Sequence, residues 1–192
     1  MGRPRKFDTD TVVDEAIEAF RTHGYGETSP RILSERLGIG KGSLYNTFGS
    51  KHELFLTSLE RYADGALADL KALIDSDLPI RDRIRRMLLD VIDSDMSDPE
   101  RCGCLVVNSA TELGARDHEA RKVLGRSFDA TATVLRGAFL DAQHAGEITA
   151  DRDAQALAGL VQSAMIGLRV LVKTTDDRAR LESIVDATVA AI

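Results

Sequence analysis

The sequence predicts an all-α fold of about nine helices. Apolar residues recur at intervals of three and four along most of the 192 residues, which is the spacing that gives a helix one buried face. No stretch shows a clear alternation of apolar and polar residues, and no Asn-Gly hairpin signal occurs. Breaks that contain glycine or proline divide the chain into short helices near the N-terminus and longer ones after them.

The first predicted helix spans residues 9–23 and has its apolar residues on one face and its acidic residues on the other. Gly24 is well placed to end it, because glycine adopts the backbone conformation of a helix C-cap without strain. Ser29 followed by Pro30 is typical of an N-cap and the first helical position. A second, short helix is therefore predicted from Pro30 to Leu37.

The glycine-containing segment 38–40 breaks the chain again, and a third short helix is predicted over residues 41–48. Ser50 with Glu53 three residues later forms a capping box, which opens a long fourth helix as far as Asp75. Five further helices with apolar faces are predicted: residues 79–95, a short helix ending at Leu113, residues 117–145, residues 152–173 and residues 178–192.

The charge distribution limits nucleic-acid binding to the N-terminal part of the chain. The net charge is −6, yet residues 21–52 hold five basic and two acidic residues, and three more basic residues lie within residues 1–6. Association with phosphate depends on local positive surface, so the acidic total does not exclude a DNA-binding role.

Composition indicates a cytoplasmic protein without a cofactor. The N-terminus lacks the apolar segment of a secretory signal, and no apolar run suggests a membrane span. No nucleophile elbow, phosphate-binding loop or zinc-protease motif occurs, and the four histidines lie at predicted helix ends or on polar faces. An enzyme is therefore not expected.

Residues 28–51 contain two short helices joined by a glycine-containing turn, which is the pattern of a helix-turn-helix. The outward residues of the second helix are small or polar, which suits a helix that enters the major groove, where short polar groups reach base edges. These residues are Lys41, Gly42, Ser43, Asn46 and Thr47.

The run from Leu37 to Phe55 resembles the signature of the TetR family of transcriptional regulators. The departures are Pro30, and Gly40 where a side-chain cap is common. The resemblance implies a three-helix DNA-binding domain with a helix-turn-helix over residues 1–50. It also implies a helical domain for ligand binding and dimerisation over residues 51–192.

The resemblance also implies roles for individual residues. Base reading is expected from Lys41, Ser43 and Asn46, with Gly42 allowing close approach and Thr47 on or beside the recognition helix. Tyr45 and Lys51 would contact phosphates, and Thr28, Ser29 and Arg31 would lie near the DNA backbone. Arg3 and Arg5 would reach the minor groove, although a merely basic tail is an equal alternative.

In the C-terminal part, the resemblance implies a ligand pocket and a four-helix dimer interface. The expected ligand-binding residues are Met87, Cys104, Asn108, Glu112, Phe128, Phe139 and Met165. For most of them a plain core role is the leading alternative, and Asn108 and Glu112 could instead cap or bridge helices. The expected interface residues are Leu157, Leu160, Val161, Ala164, Leu168, Leu181, Ile184, Val185 and Thr188. Periodicity alone would equally allow these to pack within one chain.

The function that follows is a repressor that binds double-stranded palindromic operator DNA as a homodimer and is released by an unknown small-molecule effector. The alternatives are a ligand-independent DNA-binding protein or an activator. Cys102 and Cys104 could form a redox sensor, although buried inert cysteine is the more frequent outcome. Two thiols with no nearby histidine except His118 do not predict a metal site.

Overall fold

The structure, a computed structural model, describes residues 8–192. This part of the chain forms nine α-helices and no strand, which confirms the predicted all-α class. The helices are α1 (Thr9–Glu27), α2 (Pro30–Leu37), α3 (Lys41–Phe48), α4 (Lys51–Ile74), α5 (Ile80–Ser97), α6 (Leu105–Leu113), α7 (His118–His144), α8 (Ala154–Leu171) and α9 (Arg178–Ala190).

The helices divide between two compact units. The first unit extends to Ala63 and includes Cys104–Leu124; the second comprises Asp64–Gly103 and Gly125–Ile192. The predicted functional partition at residue 50 stays a prediction, but the compact unit that holds the helix-turn-helix is larger than residues 1–50. The first turns of α4 belong to it because the ring of Phe55, fully buried, packs edge-on against Phe20 of α1 at 5.1 Å.

The predicted starts of α2 and α4 have side-chain caps, whereas α3 starts at Gly40 without one. The Ser29 hydroxyl accepts a hydrogen bond from the Ile32 amide at 3.2 Å, with Pro30 as the first helical residue. The Ser50 hydroxyl accepts from the Glu53 amide at 3.1 Å. Each bond satisfies one of the amides that a helix start leaves without an internal partner.

Gly24 interrupts α1 at the position predicted for the helix end. Its backbone angles (φ 74°, ψ 175°) are non-helical, yet one further turn follows as far as Glu27. Only glycine adopts such a φ without strain. The last turn of α1 is therefore turned away from the main axis just before the chain enters α2.

The second unit has a continuous apolar core formed by α5, α7, α8 and α9. Fully buried side chains include Ile84, Leu88, Ile92, Leu135 and Phe139. One ion pair lies inside this core: the Arg169 guanidinium on α8 donates to the Asp95 carboxylate on α5 at 3.0 and 3.3 Å, and Asp95 is only 3% exposed.

Most of the predicted dimer-interface residues are buried in this core, and their interface role stays a prediction. Periodicity identified the apolar side of each helix correctly, but that side packs within one chain because the unit needs it to close its own core. The residues buried in this way are Leu157, Val161, Leu168, Leu181, Val185 and Thr188. Leu160, Ala164 and Ile184 retain exposed surface.

α8 carries a second apolar surface that the core does not cover. Leu160 and Val170 are 42% and 47% exposed, and a Cβ added at Gly159 or Gly167 would meet no atom within 4 Å. Over its 18 residues the helix has a mean hydropathy of 1.3 with 28% of it buried. By length and composition alone α8 is apolar enough to cross a membrane, as core helices of soluble proteins also are, and it is the single described helix of this kind.

Candidate nucleic-acid interface

α2 and α3 are held at a fixed angle by a small apolar core between them. Leu33 of α2 and Leu44 of α3 are fully buried, and Ile39 in the turn is 8% exposed. Gly38 ends α2 in the left-handed conformation (φ 63°), which turns the chain directly into α3. This arrangement is the predicted helix-turn-helix.

The outward face of α3 is open to solvent, as its composition predicted. Lys41, Gly42, Ser43 and Asn46 are exposed, and Thr47 is half-buried. A Cβ at Gly42 would meet no atom within 4 Å, so no described part of the chain covers this face. It therefore offers a cation, a hydroxyl and an amide to a major groove, the donor and acceptor types that read base edges.

An open groove of about 480 Å³ lies beside this face, where the N-terminal ends of α2 and α3 meet. It is lined by Ser29, Pro30, Arg31, Ser34 and Lys41. The Ser34 hydroxyl is buried and has no hydrogen-bond partner among the described residues. Two cations with nearby hydroxyls favour an anion such as a DNA phosphate. Sequence reasoning missed Ser34, since nothing in the motif distinguishes it from a packing residue.

Thr28 is buried inside the first unit, and its predicted place near the DNA backbone stays a prediction. It is fully buried, and its hydroxyl donates to the Gly24 carbonyl at 2.5 Å. The kink at Gly24 leaves that carbonyl without its helical partner, and the Thr28 hydroxyl satisfies it. Thr28 therefore fixes the entry to α2 from inside.

The predicted phosphate contacts require Tyr45 and Lys51 to be at least partly exposed, and both are half-buried. Tyr45 is half-buried, and burial raises the pKa of its phenol, which therefore stays a neutral donor at physiological pH. Lys51 already has intramolecular partners: its Nζ donates to the Tyr25 carbonyl at 2.8 Å and lies 4.2 Å from the centre of the Tyr25 ring. An ammonium has three donors, so these contacts leave donors for a phosphate.

Among the described residues, Arg31 is the remaining predicted contact. The Arg31 side chain is 83% exposed and lies 3.5 Å from Glu35 one turn later. Exposed ion pairs are weak, so a phosphate can replace Glu35 as the partner of Arg31 at little cost. Arg3 and Arg5 lie outside the described residues, and their minor-groove role stays a prediction.

Two acidic residues from the α6–α7 region bind directly to the helices around the motif. The Glu112 carboxylate at the end of α6 accepts from the amides of Tyr25 at 2.9 Å and Gly26 at 2.7 Å. Asp117 lies 2.7 Å from Nε2 of His52 on α4. These contacts bridge more than sixty residues of sequence, so no local pattern could predict them.

The predicted ligand-binding residues divide between the two compact units. Cys104, Asn108 and Glu112 belong to the first unit, and Met87, Phe128, Phe139 and Met165 belong to the second. Met87 and Phe139 are buried in the apolar core, whereas Phe128 and Met165 are half-buried. The contacts of Glu112 match the alternative in which it bridges helices, and the ligand-binding roles stay predictions.

The two cysteines are free thiols in different surroundings. Cys104 is buried, and the Cys102 thiol, half-buried, lies 3.6 Å from the Glu100 carboxylate. Within residues 8–192 no three His, Cys, Asp or Glu side chains converge as a metal site would require.

Replacing Asp117 by asparagine is expected to remove a pH-dependent part of the stability. Hydrogen bonds from the Ala120 amide and from His52 lower the pKa of Asp117 below its ordinary value of 3.8. A lowered folded-state pKa gives stability that is present above about pH 4 and lost as pH falls through the folded value. The free energy of unfolding of the wild type should therefore exceed that of Asp117→Asn by about 0.5–1 kcal/mol at pH 5. This difference should shrink towards pH 2.

Urea unfolding of both proteins at pH 5, 4, 3 and 2 measures this difference. Asp151→Asn, at an exposed carboxylate of the second unit, is the matched control. A difference that stays constant down to pH 2 would contradict the prediction.

Two family models match the chain. "Bacterial regulatory proteins, tetR family" matches residues 12–57, and "Tetracyclin repressor-like, C-terminal domain" matches residues 81–188. The first covers the helix-turn-helix, and the second covers more than half of the chain, including α6 and most of α9.

Individual relatives agree over nearly the whole length. The chain is 34% identical over 198 residues to the uncharacterised HTH-type transcriptional regulator YezE of Bacillus subtilis, with all of both chains covered. It is 26% identical to the HTH-type transcriptional repressor ComR of Escherichia coli, over 97% of this chain and 90% of ComR.

A solved structure shows the same fold with DNA. A cysteine mutant of the TetR-family regulator CifR, complexed with a 26-bp operator duplex, superposes with a TM-score of 0.88 at 29% identity, over 98% of this chain and 99% of that chain. The helix-turn-helix, the nine helices of the described residues and the full-length matches lead to one assignment: the chain belongs to the tetR family of bacterial regulatory proteins.

Proposed function

We propose that the chain is a cytoplasmic, non-catalytic transcriptional repressor that binds a palindromic operator as a homodimer and is released by a small-molecule effector. The observation that carries the proposal is the open polar face of α3 beside a groove lined by Arg31 and Lys41. The solvent-facing side chains of α3 would read base edges, and the groove would hold the phosphate that fixes the helix in register.

A second copy would bind through the uncovered apolar surface of α8. One short recognition helix binds weakly, and two half-sites about 34 Å apart need two copies. Leu160 and Val170 are large apolar side chains left in water, while Gly159 and Gly167 let another helix approach closely. Removing such a surface from water is the main driving force for association.

The effector would enter the second unit. Met165 is half-buried and packs against its apolar core, so an apolar ligand could extend that core, and the half-buried Phe128 belongs to the same unit. A ligand that binds the DNA-incompetent state more tightly would shift the population towards release. Without such a ligand the same interface would describe a ligand-independent DNA-binding protein.

Selection of bound fragments from genomic DNA by the purified protein tests the DNA-binding proposal. We expect enrichment of a site with two inverted half-sites. Lys41→Ala and Tyr45→Ala should each abolish this enrichment, because one removes a cation at the groove and the other a phosphate donor. Lys71→Ala, an exposed lysine of α4 in the second unit, is the matched control and should select the wild-type site.

Sequence-independent retention that disappears as salt is raised would contradict the operator proposal, since phosphate contacts alone give binding of that kind. Enrichment of a single, unpaired half-site would contradict the dimer.

A further inference from the structure

The segment that leads into α2 is held from both sides by charged side chains of the first unit. On one side, the two carboxylate oxygens of Glu112 accept from the amides of Tyr25 and Gly26 at 2.9 and 2.7 Å. On the other side, the ammonium of Lys51 binds the Tyr25 carbonyl at 2.8 Å. Both contacts lie within four residues of Ser29, the N-cap of α2.

The backbone of this segment is shaped to receive the carboxylate. A Cβ at Gly24 would lie 2.9 Å from one oxygen of Glu112, and a Cβ at Gly26 would lie 3.1 Å from the other. Gly24 also has a φ of 74°, which other residues rarely adopt. Two glycines therefore leave the space in which two amides point at one carboxylate, and hydrogen bonds to an ionised acceptor are the stronger kind.

Glu112 lies on α6, a helix that the family match and the tertiary contacts assign to different parts of the chain. α6 lies within the residues that match the C-terminal domain of the family, 81–188. Its contacts nevertheless place it in the compact unit of the helix-turn-helix. A side chain at the end of α6 that holds the entry to α2 links the position of α6 to the position of the DNA-binding helices.

From this geometry we propose that Glu112 is a positioning residue that sets operator affinity without touching DNA, by fixing the Gly24–Thr28 segment and with it the N-terminus of α2. The proposal rests on the proposed operator binding. A displacement of α6 would withdraw the carboxylate from both amides at once. The groove formed by Ser29, Arg31 and Lys41 would then lose its fixed shape and would bind the DNA phosphate less well.

Glu112→Gln tests the proposal because a simple charge effect and a positioning role predict opposite changes in operator affinity. Removing one negative charge from a DNA-binding protein should leave binding unchanged or tighten it slightly. Losing the charged acceptor of two amides should weaken operator binding by at least about tenfold, since each such bond contributes more than an ordinary one. Fluorescence anisotropy with the selected operator measures the affinity, and Glu119→Gln, an exposed carboxylate on α7, is the control for charge.

Hydrogen exchange gives a readout that does not depend on DNA. In Glu112→Gln, the amides of Tyr25 and Gly26 should exchange at least about tenfold faster, while those of the core helices α5 and α8 keep their rates. Unchanged exchange at both amides would overturn the contact. Faster exchange with operator affinity equal to that of Glu119→Gln would overturn the positioning role. If the wild type binds no operator, the proposed function fails, and the exchange data still decide whether the contact exists.

Discussion

Replacing Asn46 by alanine is expected to weaken operator binding by at least roughly thirtyfold. The side chain is exposed on the outward face of α3, and an amide can bind the edge of one base with both a donor and an acceptor. A contact of this kind discriminates by about 1–3 kcal/mol, and a dimer loses it in both half-sites. Even the lower value then gives the thirtyfold change.

Affinity for an unrelated duplex of the same length is the internal control. Asn46 carries no charge, so its removal should leave the phosphate contacts and the nonspecific affinity within about twofold of the wild type. Both duplexes are measured at one salt concentration, because the phosphate contribution varies steeply with salt. An equal loss on both duplexes would show that the variant has lost its fold or its dimer, and no loss on either would remove Asn46 from the base-reading set.

Arg169→Met should lower the free energy of unfolding by about 3 kcal/mol. Its guanidinium binds the carboxylate of Asp95, which is only 3% exposed between α5 and α8. A buried carboxylate that loses a paired cation keeps its cost of desolvation and loses the attraction of that cation. Methionine retains much of the apolar stem, so the loss reports the charge and not a cavity.

Arg178→Met is the matched control, since Arg178 also pairs with an α5 carboxylate, Asp93, at 2.6 Å. That pair is exposed, with 47% and 54% of the two side chains accessible, and exposed pairs contribute little to stability. Chemical denaturation at one protein concentration compares the three proteins. Equal losses in both variants would contradict the special cost of the buried pair, and Arg169→Met combined with Asp95→Leu should recover much of the stability.

Local signals in the sequence were enough for the helices and the motif. The caps Ser29 and Ser50 and the turn at Gly38 each act within three residues along the chain, which is why they can be found without a structure. The outward face of α3 followed in the same way, because polar residues at helical spacing on a short helix have no core to enter.

The tertiary structure decided which apolar helix faces pack inside the chain and which stay uncovered. Periodicity gave α8 and α9 an apolar side, but spacing alone does not distinguish a core inside one chain from an interface between two. Val161 is fully buried within its own unit, so part of the apolar side of α8 closes the core of that unit. Leu160 and Val170, the exposed large apolar residues of the same helix, belong to a surface that this core does not cover.

The contacts that join distant segments were also beyond local reasoning. Thr28 looks like a polar residue at a helix entry, yet it is buried because the kink at Gly24 gives its hydroxyl an intramolecular acceptor. Glu112 looks like half of a ligand-binding pair, yet its carboxylate accepts from two amides 86 and 87 residues away.

The sequence by itself determined the helices, their caps and the chemistry of the recognition face, since each depends on neighbours within one or two turns. Only the tertiary structure decided which apolar faces close the core and which carboxylate holds the entry to α2. Those outcomes depend on which distant segments fold against each other, and spacing along the chain does not specify that.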